Sequence, residues 1–342
     1  MTLLEAIGLR RDRRFCSMER TNLIPATPIK NRPARLLCMR MGVDLGGTKI
    51  EAAVLDDAGE IQARMRVLTP KHYEPLLETI ASLVRELEQQ IGSIRTIGIA
   101  TPGALSPRTG LMHNAHNTAL HEKPFDVDLE RVLGRPIRVA NDAHCFALSE
   151  ATDGAGAGGR SVFGVIVGTG ASGALVVDGK VFPGKNAVAG EWGHNPLPWP
   201  QPDEYPGPRC YCGKHGCTES YLSGPGLIRD HQLVTGEELP PELIVARAAE
   251  GDANSQATLA RYADRMARAL ATVINLVDPD VIVLGGGLSH IKSLYEVVPE
   301  RWGNYVLAPH VATPLLPNRH GDASAVRGAA WLWSPRPIVG RA

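Results

Sequence analysis

The sequence predicts an α/β protein of two similar lobes, each a mixed sheet flanked by helices, with an additional metal-binding loop. Three observations carry this. A unit of strand, Gly/Thr tip and strand occurs at Gly42–Glu60 and again at Val165–Lys180, and such a repeat implies two related halves. Short apolar runs alternate with segments of helical periodicity, the pattern of helices packed on sheets. Between Ala189 and Ser223 lie three cysteines and a histidine at the spacing of metal ligands. At 342 residues the chain is long enough for two cores.

Composition narrows the function classes. With 36 basic and 36 acidic residues, the chain offers no dedicated nucleic-acid surface, and small neutral substrates fit better than polyanions. No apolar run approaches the roughly 20 residues that span a bilayer. Six cysteines, three of them clustered, fit a reducing, cytoplasmic compartment. Residues 1–40 are set apart, with nine Lys or Arg against three Asp or Glu. Broken by Pro25, Pro28 and Pro33, they read as a basic, poorly ordered leader or a start placed too early, and they lack the apolar stretch of a secretory signal.

In chain order, Gly42-Val-Asp44-Leu-Gly46-Gly47-Thr48-Lys49 reads as a hairpin whose glycine tip lets backbone amides approach a phosphate. Pro75–Gln90 places Leu76, Leu77, Ile80, Leu83, Val84 and Leu87 on one helical face, and Ile94–Ala100 reads as a buried strand stopped by Thr101-Pro102-Gly103. Phe125–Leu133 is a short helix with Gly134 as its stop, followed by the strand Pro136–Ala140. That strand ends on Asn141-Asp142, where Ala143–Ala151 begins a helix; a carboxylate there can face a cleft or serve as a cap. The second hairpin, Val165–Lys180, carries Gly168-Thr169-Gly170 at its tip and Asp178-Gly179 at its far turn. Gln256–Val277 is a long amphipathic helix, and Asp280–Leu284 is a buried strand meeting Gly285-Gly286-Gly287. A closing helix follows Asp322, a residue of capping type.

The segment from Glu191 to Glu219 carries the most chemistry. His194, Cys210, Cys212 and Cys217 supply the donors of a tetrahedral zinc ion, and four protein ligands mark a structural site. Glu191 stands three residues before His194 and Glu219 two after Cys217. Ligation would therefore fix both carboxylates, and a rigid pair suits sugar hydroxyls.

This run resembles the zinc-bearing signature of the ROK family (repressors, open reading frames, kinases), and the resemblance covers about Met41–Trp333. It implies the actin-like ATPase (sugar kinase) fold, with residues 41–141 as first lobe, 142–333 as second and 334–342 as a tail. It further implies Asp142 as catalytic base and Gly285, Gly286 and Gly287 as the adenosine segment. ATP phosphates would rest on Gly46, Gly47, Thr48, Lys49, Gly168, Thr169 and Gly170, with Asp44 orienting the waters of Mg²⁺. Asn117, Asn141, Glu191, His194 and Glu219 would bind the sugar.

Because Glu191-Trp-Gly-His-Asn-Pro-Leu-Pro-Trp199 looks like fructokinases that also accept mannose, the expected reaction is ATP-dependent phosphorylation of fructose to the 6-phosphate. The alternative is an N-acetylhexosamine kinase, whose relatives share wording like Asn141-Asp142-Ala-His-Cys-Phe-Ala-Leu-Ser-Glu150. A ROK repressor is the rival of another class, but the leader is too short and too broken for a helix-turn-helix. The expected partners are hexose and ATP, with a homodimer allowed and no nucleic acid or membrane. The sequence departs from fructokinases at Ala119 and His121-Glu122, and from the usual glycine-rich run at Ala171-Ser172-Gly173-Ala174.

Overall fold

A computed structural model describes residues 39–115 and 118–333. The leader before Met39, Asn117 and the tail after Trp333 lie outside the described residues.

The first lobe comprises β1 (Arg40–Leu45), β2 (Lys49–Leu55), β3 (Ile61–Leu68), α1 (Tyr73–Ile91), β4 (Thr96–Thr101), a small hairpin of β5 (Ala104–Leu105) and β6 (Met112–His113), α2 (Phe125–Leu133) and β7 (Arg138–Asn141). Helix α3 (Asp142–Thr152) leads to the second lobe. There follow β8 (Ser161–Val167), β9 (Ala171–Val177), β10 (Lys180–Val181), α4 (Glu219–Leu222), α5 (Gly224–Thr235), α6 (Pro241–Ala249), α7 (Ala253–Val277), β11 (Val281–Gly285), α8 (Leu294–Trp302), β12 (Leu315–Pro317) and α9 (Ser324–Trp331).

The two large sheets repeat one plan. Their strand orders are β3-β2-β1-β4-β7 and β10-β9-β8-β11-β12, each an antiparallel meander extended by two parallel strands. The far turn of the second meander has Asp178 and Gly179 at φ 50° and 71°, the paired positive values that a tight hairpin demands. Among the described residues, no helix is long and apolar enough to cross a membrane.

Alternation divides the first sheet's faces. Met41, Val43 and Leu45 pack with the apolar stripe of α1. Gly42 and Gly98, paired in register on β1 and β4, face the other way onto α9. A Cβ at Gly42 would lie 1.9 Å from the Val326 carbonyl oxygen, and one at Gly98 would lie 1.8 Å from that of Ala329. The closing helix, expected to belong to the second lobe, thus packs on the first lobe's sheet and on α3. The reason is steric, since bare glycines admit a helix backbone where any side chain would hold it off. Asp322 does not cap α9: it lies in a single 3₁₀ turn, and the position before the helix is Ala323, without a side-chain bond.

Candidate active site

The parallel strands β1, β4 and β7 bring their carboxyl ends to one edge, with Asp44 opposite Ala100, Ala100 opposite Ala140, and Thr101 opposite Asn141. Asn141 is the N-cap of α3, its side chain accepting the Ala143 N–H at 2.9 Å. The Asp142 carboxylate accepts the same N–H at 2.8 Å. Capping is therefore real, and the Asn141 oxygen does it. Burial pushes the Asp142 carboxyl up, opposed by the Ala143 N–H and the Asn141 side chain. Asp44 is raised to about 7 by burial first, then by the charges of Asp142 and Glu51, with Lys49 and Arg66 opposing.

The two hairpin tips are held differently. At the first, Gly46 N–H donates to Lys49 O at 3.0 Å, and Thr69 clamps the turn, its hydroxyl donating to Gly46 O at 2.7 Å and its N–H to Thr48 O at 3.0 Å. Gly47, Thr48 and Lys49 are exposed. At the second, Gly168 O accepts from Gly224 N–H at 2.7 Å, and Ala171 N–H donates to Glu219 Oε2 at 3.0 Å. Because β8 and β11 run parallel, Gly285–Gly287 emerges beside this tip, and a Cβ at Gly168 would lie 3.8 Å from Gly287 N. Gly286, at φ 80° and pressed against Val167 O, admits no side chain.

The cysteine segment folds back so that one donor atom each of His194, Cys210, Cys212 and Cys217 lies within 4.8 Å of the others. Cys210 Sγ stands 3.6 Å from His194 Nδ1, and the sulfurs of Cys212 and Cys217 are 3.6 Å apart, too far for a disulfide. His194 Nε2 is 2.9 Å from the Tyr211 hydroxyl. Nδ1 faces the thiols, and the Tyr211 side chain that meets Nε2 is exposed. Burial raises Glu191; the His194 charge opposes this, while those of Asp142 and Glu219 add to it.

The tryptophans that suggested a fructokinase have structural jobs. Trp192 is buried against Gly173 and edge-on to Phe163, with ring centroids 6.5 Å apart. Trp199 stacks on Tyr305 at 5.3 Å, and Leu197 is buried. Trp192 and Leu197 thus serve packing, while Trp199 stays half exposed.

Sequence reasoning also missed the anchor of the Pro-rich segment between Asn195 and Arg209. Glu204 accepts from Arg265 Nε at 2.7 Å and from both terminal nitrogens of Arg268 at 2.8 Å, while Arg268 donates to the carbonyls of Pro198 and Trp199. Burial alone would raise Glu204, but the hydrogen bonds from Arg268 and Arg265 hold it at about 2. The available signal was two arginines on the otherwise apolar face of α7, which require a buried carboxylate.

Comparison with known proteins agrees with this architecture. The ROK family model matches residues 40–336. The N-acetyl-D-glucosamine kinase of Escherichia coli O157:H7 is 39% identical over 300 residues, covering 86% of this chain and 99% of that enzyme. The crystal structure of a ROK hexokinase from Thermus thermophilus superposes with a TM-score of 0.77 at 32% identity, covering 86% and 97% of the two chains. A ROK glucokinase from Streptomyces griseus, solved with glucose and AMPPNP, gives 0.70 at 28% identity, covering 86% and 98%. Twin sheets, paired glycine tips and a matching family model over the whole described chain make this protein a member of the ROK family, on the branch of its sugar kinases.

Proposed function

We propose that this protein transfers the γ-phosphoryl group of ATP to the 6-hydroxyl of an N-acetylhexosamine, N-acetylglucosamine foremost. The observation that carries the kinase reading is Asp142, set at the carboxyl edge of the first sheet among Asp44, Glu191 and Glu219. The sugar is argued from 39% identity along nearly the full length of an N-acetylglucosamine kinase. The fructose reading gives way to this similarity, since within the wording behind it Trp192 is buried and Trp199 stacks on Tyr305.

In this reading the sugar hydroxyl attacks the γ-phosphorus in line while Asp142 accepts its proton, and the phosphorus–oxygen bond to ADP breaks. A carboxyl raised by burial is a better proton acceptor than an exposed one. Asn141 and Glu191, with the free oxygen of Glu219, would hold sugar hydroxyls; Asn117 keeps its expected role as a further donor. The amides of Gly46–Thr48 and Gly168–Gly170 would cradle phosphates, the Gly285–Gly287 turn would carry the adenosine side, and Lys49 would supply charge at the first tip. Mg²⁺, when bound, would neutralise phosphate charge, and the Asp44 carboxylate is the hard oxygen donor suited to its waters.

The four-donor cluster fits a structural zinc ion. Tetrahedral zinc with sulfur at about 2.3 Å would separate two sulfurs by roughly 3.8 Å, close to the 3.6 Å between Cys212 and Cys217. In this reading the ion holds Glu191 and Glu219 in place and reacts with nothing.

A panel of N-acetylglucosamine, N-acetylmannosamine, glucose, mannose and fructose with ATP tests the proposal. N-acetylglucosamine should give the highest kcat/KM; a higher value for fructose would restore the discarded reading.

A further inference from the structure

A groove of about 580 Å³ runs between the lobes, with Asn141 in its lining. One wall is β7, the edge strand of the first sheet; the other is β10, the edge strand of the second, with the turn after it. Its floor is the face of α3 bearing His144 and Leu148, one helical turn apart. Leu105, Val139 and Val181 make the walls largely apolar.

The charged groups of the lining have one sign. Arg138 stands on the first wall and Lys180 on the second, both exposed, and no Asp or Glu lines the groove. Arg138 packs over the Trp333 ring at 4.3 Å and bonds to Leu332 O; among the described residues, neither cation has a carboxylate within salt-bridge distance. Burial pushes His144 down, so its ring is neutral near pH 7, and its Nε2, 3.2 Å from Ala189 O, carries the proton. Two cations on opposing walls suit a phosphate dianion. The apolar walls and the volume call for an organic body attached to it.

We propose that this groove binds a small phosphate monoester between Arg138 and Lys180, and that its occupancy is coupled to the closure of the lobes over the sugar. The coupling follows from the construction, because the walls belong to different lobes and the floor is the helix joining them. A ligand touching both walls prefers one separation of the lobes and biases their equilibrium.

Trp331 lines the groove and Trp333 stacks on Arg138, so tryptophan emission of the full chain reports occupancy without an activity assay. Phenyl phosphate should change the emission saturably, with ATP and sugar site saturated or empty. Its Kd should rise about tenfold in Lys180→Gln and in Arg138→Gln, the loss of one charge-assisted bond each. Among the described residues the Lys180 side chain makes no hydrogen bond or ion pair, so that variant should fold and keep its basal kcat. Phenyl phosphate and N-acetylglucosamine should alter each other's Kd by the same factor. The proposal is overturned if emission does not saturate, if both variants bind phenyl phosphate as tightly as the parent, or if ATP simply competes it away. Inorganic phosphate binding equally well would overturn the monoester class, and unchanged sugar affinity would overturn the coupling.

Discussion

The two hairpin tips share a backbone plan but not a means of support. The first is held locally, by Thr69 at the end of the adjacent strand pair, and its charges sit in the sheet: Asp44, Glu51 and Arg66 lie side by side across β1, β2 and β3, with Glu51 clamped by Arg64 and Arg66. The second is held remotely, by Glu219 and Gly224 from beyond the cysteine cluster. The two tips differ in register as well, with four residues between Leu45 and its partner Ile50 and three between Val167 and its partner Ala171. The first tip depends on its own lobe, and the second on whatever fixes residues 191–224.

The largest effect should come from the group that both tips serve. Asp142→Asn should lower kcat by about 10²- to 10⁴-fold, the usual contribution of a general base, while calorimetry still registers sugar binding. Wild-type turnover would remove Asp142 from the chemistry.

The remote support can be broken next. Cys212→Ser should lose metal, measured by atomic absorption, and raise the sugar KM by roughly 10- to 100-fold as Glu191 and Glu219 lose their scaffold. A metal-free protein with normal KM would mean that the second tip stands unaided. Thr69→Val probes the local support: losing one hydrogen bond of about 1 kcal/mol should raise the KM for ATP several-fold and leave the sugar KM unchanged.

The smallest effect concerns protons. Asp44 has a folded value of about 7 against an ordinary 3.8, so the folded state binds more protons in that window. The associated stability is fully present below about pH 3.8 and is lost as pH rises through about 7. Without Mg²⁺ and ATP, the Tm of the parent should fall by roughly a few degrees more than that of Asp44→Asn between pH 5 and 8. Identical slopes would show that the Asp44 environment is solvated.

The sequence revealed the hairpins because alternation, glycine tips and the Asp-Gly turn are local signals. The expected helix over Pro75–Gln90 appears as Tyr73–Ile91 for the same reason. The clustering of His194, Cys210, Cys212 and Cys217 was legible from residue type and spacing. What stayed hidden was long-range: Glu204 finds Arg265 and Arg268 some sixty residues away in sequence, and α9 finds a sheet built near the start. A clue to the latter was present in Gly42 and Gly98, each in mid-strand, where glycine usually marks a close backbone approach. The Trp192–Trp199 wording misled because it was read as substrate recognition, whereas Trp192 and Leu197 are buried in the protein and Trp199 stacks on Tyr305.

The docking of α9 bears on how the chain is made. Gly328 meets α3 so closely that a Cβ there would lie 1.6 Å from Cys145 O, and the same helix covers Gly42 and Gly98. Strands β1–β4 leave the ribosome early, yet one face of their sheet stays open until Trp331 has been synthesised. At about 5–20 residues per second, the first lobe waits roughly ten seconds or more for its last helix. During that interval one face of its sheet stays uncovered, and a ribosome stalled before residue 324 would release a protein with its second lobe nearly complete and its first unfinished.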